Sequence, residues 1–317
     1  MAGIKNLIFF GTPDFALPTL DALAEAGHGP SLVVSQPARP VGRGQEPQDP
    51  PVAEWAREHG VELSQPESVS DEAFLDDLEK RKPDVVVVVA FGQVFPERLL
   101  EMPRLGCINV HASLLPKYRG ASPIQGVLMN GEKKTGITIM RMEETLDTGP
   151  IIDQVETEIR AWETAEELAP RLAKLGSELL VSVVERWHQG KKIKERKQRE
   201  ESSSYSPLIS KSDGKVNWAL RAEEIYNRLR AFTPWPGMKA NFRGSALKLA
   251  WGVPVEWEQA PIGVTGTFLG MRQGRIAVLC GDGTILGIEE LQRPGKKMIR
   301  ATDFVNGERL RVGERFS

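Results

Sequence analysis

Five consecutive valines, Val85–Val89, constrain the fold of this 317-residue chain more than any other stretch. Valine is branched at Cβ and favours extended backbone, and a strand without a polar face is typical of a parallel sheet buried on both sides. Four other apolar runs predict further strands: 4–10, 31–35, 106–112 and 135–142. Two stretches with helical spacing lie among them, 50–60 and 71–80. The alternation predicts an α/β fold with an open, doubly wound, mostly parallel Rossmann-like sheet.

The chain changes character after a predicted helix over 164–190. Thr164 and Glu167 fit a capping box at the start of this helix, and Gly190 fits its end. The stretch 190–206 is rich in charge and serine and has no apolar period, which is typical of a linker. Beyond it, glycines separate short β-like runs, as in a small closed, OB-like β-barrel. We therefore predict an α/β domain over 1–189, a basic linker over 190–206 and a β-barrel domain over 207–317.

Charge is unevenly distributed along the chain. The net charge is −2, but residues 1–189 carry 18 basic and 29 acidic side chains, whereas residues 190–317 carry 23 basic and 14 acidic side chains. A surplus of positive charge in one half suggests a polyanionic partner for that half.

The cysteines and the N-terminal residues indicate the compartment. The two cysteines, Cys107 and Cys280, form no CxxC motif and no disulfide framework. The apolar run near the N-terminus is shorter than a signal-peptide core or a membrane span. We therefore expect a cytoplasmic protein that is not inserted in a membrane.

Two polar side chains stand at the end of the predicted strand 106–112. Asn109 and His111 are two residues apart, so on an extended strand they point to the same face. An amide can donate to a developing oxyanion and an imidazole can move a proton; a carboxylate, for which Asp147 is the candidate, would orient the imidazole. Alternatively, His111 is a buried histidine bonded to backbone and Asp147 a simple turn former. Because the Glu143–Asp147 loop also follows a strand, we expect these residues to meet at the carboxyl edge of the sheet.

The remaining motifs exclude several kinds of chemistry. Ser113 lacks the GxSxG elbow of a serine nucleophile, and Cys107 lies inside a predicted strand. The sequence contains no HExxH, CxxC or EF-hand pattern that would indicate a metal, and no GxGxxG that would indicate a dinucleotide. Direct group transfer between two substrates, without a metal, is therefore the chemistry that we expect.

At these residues the chain resembles a known family. NVHASLLPKYRGASPIQ (109–125) together with GITIMRMEETLDTGP (136–150) is similar to the signature of the folate-dependent formyltransferases. The resemblance implies that Asn109, His111 and Asp147 act on the formyl group of 10-formyltetrahydrofolate, a co-substrate that donates this group. It also implies that four consecutive residues line the folate site: Ser113, Leu114, Leu115 and Pro116.

The resemblance extends over most of the chain and implies an RNA partner. FFGTPDFA (9–16), SQPARPVGRG (35–44) and RAFTPWPG (230–237) resemble the family members that formylate the α-amine of methionine on initiator tRNA. In that case 1–189 is the catalytic domain and 207–317 the tRNA-binding domain. Six basic residues are then candidates for tRNA contact: Arg39, Arg43, Lys191, Lys192, Lys296 and Lys297.

Other functions stay open from the residues alone. A formyltransferase acting on a small amine, such as a sugar nucleotide or glycinamide ribonucleotide, would share the catalytic strand and turn but would not need a basic half. A non-catalytic RNA-binding module would not need Asn109, His111 and Asp147, and a folate-binding hydrolase would use water in place of the amine. For the tRNA-dependent enzyme we expect a monomer.

Overall fold

The computed structural model describes residues 3–41, 46–258 and 262–317. Contacts divide the chain into two compact units. The first unit comprises Met1–Pro123, Lys134–Glu158 and Ala169–Ser206, and the second comprises Ile124–Lys133, Ile159–Leu168 and Pro207–Ser317. Within the described residues, no helix combines the length and the apolarity needed to cross a bilayer.

The region up to residue 190 alternates strands with helices, as predicted. Its strands are β1 (Leu7–Gly11), β2 (Leu32–Val34), β3 (Arg39–Val41), β4 (Glu46–Gln48), β5 (Glu62–Ser64), β6 (Val85–Val89), β7 (Cys107–His111), β8 (Lys134–Arg141) and β9 (Ile151–Glu158). Its helices are α1 (Leu17–Glu25), α2 (Pro51–Glu58), α3 (Glu72–Arg81), α4 (Glu97–Glu101), α5 (Pro123–Met129) and α6 (Ala165–His188).

Seven of these strands form one sheet in the order β5-β2-β1-β6-β7-β8-β9. The first five of that order are parallel to one another, whereas β8 is antiparallel to β7 and β9 is antiparallel to β8. The remaining two strands, β3 and β4, form a separate antiparallel pair. The mostly parallel, Rossmann-like sheet is therefore confirmed, with an antiparallel edge beyond β7.

The valine run lies at the centre of this sheet. β6 pairs with β1 on one side and with β7 on the other, and all five valines are buried. On one face of the sheet, Phe10 of β1 packs against Phe91 and Phe95 with ring centroids 5.1 and 5.0 Å apart. The burial of both faces explains why the run carries no polar position.

Helix α6 contributes to both units, and its start is capped as predicted. The backbone N–H of Thr164 donates to Glu167 Oε2 at 2.9 Å, and the N–H of Glu167 donates back to Thr164 Oγ1 at 3.4 Å. Farther along, a Cβ on Gly176 would meet Val110 Cγ1 at 2.9 Å. The missing side chain at Gly176 therefore lets α6 approach β7, the strand that carries Asn109 and His111.

The second unit contains an antiparallel sheet. Its strands are β10 (Met238–Phe242), β11 (Ser245–Val255), β12 (Phe268–Arg272), β13 (Arg275–Leu279), β14 (Ile285–Gln292) and β15 (Met298–Arg300), and its further helices are α7 (Ala222–Ala231) and α8 (Ala301–Glu308). The order is β10-β11-β14-β13-β12, with β15 on β14. Residues near the C-terminus pair with both edges of the strand order. Phe316 pairs with Phe242 of β10, and Arg315 pairs with Thr267, which precedes β12. This arrangement is consistent with the predicted small barrel.

The aromatic cluster around Phe10 should dominate the stability of the first unit. Phe10 is fully buried, so Phe10→Ala should lower the free energy of unfolding by about 3–5 kcal/mol in a urea titration. The control is Val94→Ala, because Val94 is 75% exposed. The free energy of unfolding of this variant should lie within about 0.5 kcal/mol of that of the unmodified protein. Equal effects of the two substitutions would contradict the proposed packing.

Candidate active site

Strand β7 presents Asn109 and His111 on one face. Asn109 lies beside Val88 of β6, and His111 lies beside Thr138 of β8. His111 is 4% exposed, whereas Asn109 is partly exposed. The two side chains are therefore held by strands on both sides, with the amide more accessible than the imidazole.

Asp147 reaches this face by a different route from the one that the sequence suggested. We expected its loop at the carboxyl edge of a parallel sheet, but β8 is antiparallel and its end lies beside the start of β7, where the N–H of Met142 donates to Cys107 O at 2.8 Å. The loop between β8 and β9 returns to the polar end of β7. Asp147 itself has a φ of 56°, in the left-handed region that residues other than glycine rarely adopt.

The three candidate residues meet around the Asp147 carboxylate. Its Oδ1 lies 3.4 Å from Asn109 Nδ2, and its Oδ2 lies 3.6 Å from His111 Nδ1. The backbone N–H of Gly120 donates to the same Oδ2 at 2.8 Å. Asp147 is 7% exposed, so the carboxylate is nearly removed from water and depends on these neighbours.

Hydrogen bonding determines the tautomer of His111. Its Nε2 lies 2.9 Å from the carbonyl oxygen of Tyr118. A carbonyl can only accept, so Nε2 carries hydrogen, and in the neutral ring Nδ1 is an acceptor. Nδ1 and the Asp147 carboxylate are then two acceptors that face each other. One additional proton between them would join the pair by a charge-assisted hydrogen bond.

The segment predicted to line the folate site is only partly at the surface. Ser113 is fully buried and its hydroxyl donates to Lys117 O at 2.6 Å. Leu115 is buried, and its N–H donates to Thr138 Oγ1 at 3.1 Å. Leu114 and Pro116 are partly exposed. The segment therefore offers a ligand two apolar side chains, while Ser113 and Leu115 fix its shape.

The basic candidates are dispersed along the chain. Five of them have exposed side chains, Arg39, Lys191, Lys192, Lys296 and Lys297. The first three belong to the first unit and the last two to the second. Arg43 lies outside the residues that the structure describes.

Three residues beside the Asp147 turn were not found by sequence reasoning. Arg119 is 7% exposed and pairs with Glu200 at 2.6 Å, and its guanidinium lowers the pKa of that carboxyl below the usual range. Gln198 donates to the backbone of the Asp147 turn. Tyr205 is 64% exposed and lies over Gly120, where an added Cβ would meet its Cε2 at 2.5 Å. All three contacts join segments that are far apart in sequence, so no local motif signals them.

The described residues contain no group of three or more histidine, cysteine, aspartate or glutamate side chains arranged to hold a metal ion. The site consists of an accessible amide, an imidazole whose neutral tautomer follows from the Tyr118 carbonyl, and a buried carboxylate. Such a set can stabilise an oxyanion and store a proton. It suits a transfer reaction in which one substrate supplies the nucleophile.

The whole chain is similar to known transferases. Residues 5–184 match the formyl transferase family model, and residues 208–309 match the model for the C-terminal domain of formyl transferases. The chain therefore belongs to the formyl transferase family of enzymes.

Two bacterial relatives illustrate this membership. A methionyl-tRNA formyltransferase of Geobacter metallireducens is 45% identical over 315 residues, which cover 99% of each chain. A methionyl-tRNA formyltransferase of Acidobacterium capsulatum is 45% identical over 307 residues, which cover 96% of this chain and 97% of the relative.

Solved structures support the fold. The N-formyltransferase of Helicobacter canadensis, in complex with folinic acid and dTDP-3-aminofucose, superposes with a TM-score of 0.66 over 90% of this chain and 99% of its own, at 19% identity. The sugar 3N-formyltransferase WlaRD gives a TM-score of 0.66 over 93% of this chain and 100% of its own, also at 19% identity. At this identity the likeness concerns the fold alone.

The hydrogen-bond partners of His111 and His59 predict opposite neutral tautomers, which can be measured in the same sample. His111 should carry hydrogen on Nε2 in its neutral form. His59 should carry it on Nδ1, because its Nδ1 lies 2.9 Å from the carbonyl oxygen of Trp55. Long-range ¹⁵N–¹H spectra distinguish the two forms, and His111→Gln and His59→Gln would assign them. An Nδ1–H tautomer at His111 would contradict the site geometry.

Proposed function

We propose that this protein transfers the formyl group of 10-formyltetrahydrofolate to the α-amino group of methionine esterified to initiator tRNA. The observation that carries this proposal is the identity of 45%, over 99% of both chains, with a relative named methionyl-tRNA formyltransferase. The meeting of Asn109, His111 and Asp147 in this chain supports it independently of that name.

The residues of the site fit a folate donor, which supplies the formyl carbon that the amine attacks. A side-chain amide has two N–H groups, and one of those on Asn109 points to Asp147. The other donates to the formyl oxygen as negative charge builds there, which is the role of an oxyanion hole. The partly exposed side chains of Leu114 and Pro116 pack against the apolar part of the donor.

His111 and Asp147 handle the proton. Forming an amide removes a proton from the attacking amine. With Nε2 of His111 occupied by the Tyr118 carbonyl, the proton is held between Nδ1 of His111 and Oδ2 of Asp147. Both residues are at least nine-tenths buried, so the proton stays in the site until it is returned to the departing nitrogen.

Exposed basic residues hold the tRNA. Lysine and arginine bind phosphates mainly through charge and therefore position an RNA without reading its sequence. Lys191, Lys192, Lys296 and Lys297 are assigned to the acceptor arm, and Arg39 and Arg43 direct the 3′ end. We also propose domain boundaries at 1–189, 190–206 and 207–317, a monomeric state and a cytoplasmic location.

Replacing the site carboxylate should separate catalysis from binding. Asp147→Asn keeps the shape of the side chain but removes the carboxylate that faces Nδ1 of His111. We expect kcat for formylation of methionyl-tRNA to fall about 10²–10⁴-fold, with little change in KM for tRNA. The matched control is Asp76→Asn on the exposed face of α3, whose partner is Arg98; it should retain the unmodified kcat.

The same assay discriminates between acceptors. Purified protein is incubated with 10-formyltetrahydrofolate and either methionyl-tRNA or an amino-sugar nucleotide, and formylated product is scored. Faster transfer to the sugar nucleotide, or none to methionyl-tRNA, would overturn the proposal in favour of a small-amine enzyme. Near-normal turnover of Asp147→Asn would overturn the site assignment alone.

Charge reversal should weaken RNA binding selectively. Lys191→Glu with Lys192→Glu, or Lys296→Glu with Lys297→Glu, should raise KM for methionyl-tRNA and flatten its dependence on salt by about one unit of slope per lost phosphate contact. KM for the folate donor should not change. Lys80→Glu with Lys133→Glu introduces the same charge elsewhere and serves as the control. Equal effects of control and test pairs would indicate a general charge effect and contradict the assigned contacts.

A further inference from the structure

The segment that follows α6 is hydrogen-bonded into the first unit on both sides of Gln198. On one side, Arg196 and Ile151 of β9 exchange backbone hydrogen bonds of 2.8 Å in each direction. On the other side, the N–H of Arg119 donates to Ser204 O at 2.9 Å and the N–H of Ser206 donates to Arg119 O at 2.7 Å. Gln198 is thereby held between β9 and the loop that follows β7.

The side-chain amide of Gln198 is bonded at both ends. Its Nε2 donates to the backbone carbonyl of Asp147 at 2.8 Å and to that of Gly149 at 2.7 Å. Its Oε1 accepts from the guanidinium of Arg119, from Nε at 3.1 Å and from Nη2 at 3.0 Å. Carbonyl oxygens only accept and a guanidinium only donates. The orientation of the amide is therefore determined by its partners.

Arg119 provides a firm attachment for this amide. It is 7% exposed, and its Nη1 and Nη2 donate to the two carboxylate oxygens of Glu200 at 2.6 and 2.9 Å. A bidentate arginine–carboxylate pair fixes the plane of the guanidinium. Gln198 thus connects a fixed cation to the turn that carries the site carboxylate.

The Asp147 turn requires such support. Its left-handed φ of 56° is less favourable in an aspartate than in a glycine, so bonds to the backbone of the turn help to hold it. The side-chain contacts to Asn109 and His111 are long, at 3.4 and 3.6 Å. The two bonds from Gln198, at 2.8 and 2.7 Å, are shorter and act on the backbone.

We propose that Gln198 is a positioning residue for formyl transfer. It does not touch the substrate but sets the backbone of the Asp147 turn, and through it the distance between the Asp147 carboxylate and His111. This inference rests on the proposed function, because the rate that it controls is that of the Asn109–His111–Asp147 site.

Two substitutions distinguish the hydrogen bonds made by Nε2 of Gln198 from those made by its Oε1. Gln198→Met keeps the length of the side chain and removes every hydrogen bond. Gln198→Glu keeps an acceptor for Arg119 but turns a carboxylate oxygen, in place of two N–H groups, toward the carbonyls of Asp147 and Gly149. Both variants should lower kcat by about 10²-fold, as expected for small misplacements of a reacting group, with KM for methionyl-tRNA and for the donor within about twofold.

A spectroscopic measurement tests the same step without turnover. The ¹⁵N resonance of His111 Nδ1 should move in both variants, because that atom faces Asp147, and the thermal unfolding temperature should fall by only a few degrees. Gln189→Met makes the same replacement at an exposed position after α6 and should alter neither kcat nor the His111 resonance.

The outcomes are distinguishable. An unmodified kcat in Gln198→Met would overturn the proposal. An unmodified kcat in Gln198→Glu, with a lowered kcat in Gln198→Met, would also overturn it, because only the contact to Arg119 would then matter. A rise in KM for tRNA at constant kcat would also overturn it and assign Gln198 to RNA contact. If the unmodified protein does not formylate methionyl-tRNA, the proposed function fails, whereas the His111 resonance still decides whether Gln198 sets the turn.

Discussion

The candidate site of the first unit depends on one buried carboxylate. Asp147 is almost removed from water, so its charge must be met by donors from the protein. These donors come from the Gly120 backbone and the Asn109 amide, while His111 faces the second oxygen. Each lies on a part of the chain distant from Asp147 in sequence. The sheet, the loop after β7 and the β8–β9 turn must therefore all be in place before the site exists.

The buried surroundings also explain how the same groups can act chemically. In a site with little water, an amide dipole and an imidazole–carboxylate pair interact more strongly with a developing charge than they would in solution. The Tyr118 carbonyl restricts His111 to one tautomer, so proton exchange is directed toward Asp147. A nucleophilic side chain is not needed, because the acceptor amine attacks the formyl carbon itself.

The stretch 190–206 joins two aspects of the proposed activity. Two of its lysines, Lys191 and Lys192, are exposed and are proposed to contact RNA, and Gln198 in the same stretch is bonded to the Asp147 turn. Its composition suggests a linker, yet the stretch lies within the first unit. A charged, serine-rich segment can be ordered in this way when its backbone and polar side chains find partners on a folded surface.

The sequence alone predicted the mostly parallel sheet, the helices near α2, α3 and α6 and three candidate site residues, because apolar periodicity, capping and short motifs are local properties of the chain. Val85–Val89 required burial on both faces, and the spacing of Asn109 and His111 placed them on one face. Only the tertiary structure decided how Asp147 comes to lie beside Asn109 and His111, because β8 is antiparallel to β7 and the loop after β8 returns to the end of β7. It also decided the His111 tautomer and the contacts of Gln198, because these depend on carbonyl groups from remote segments, whose positions no local pattern encodes.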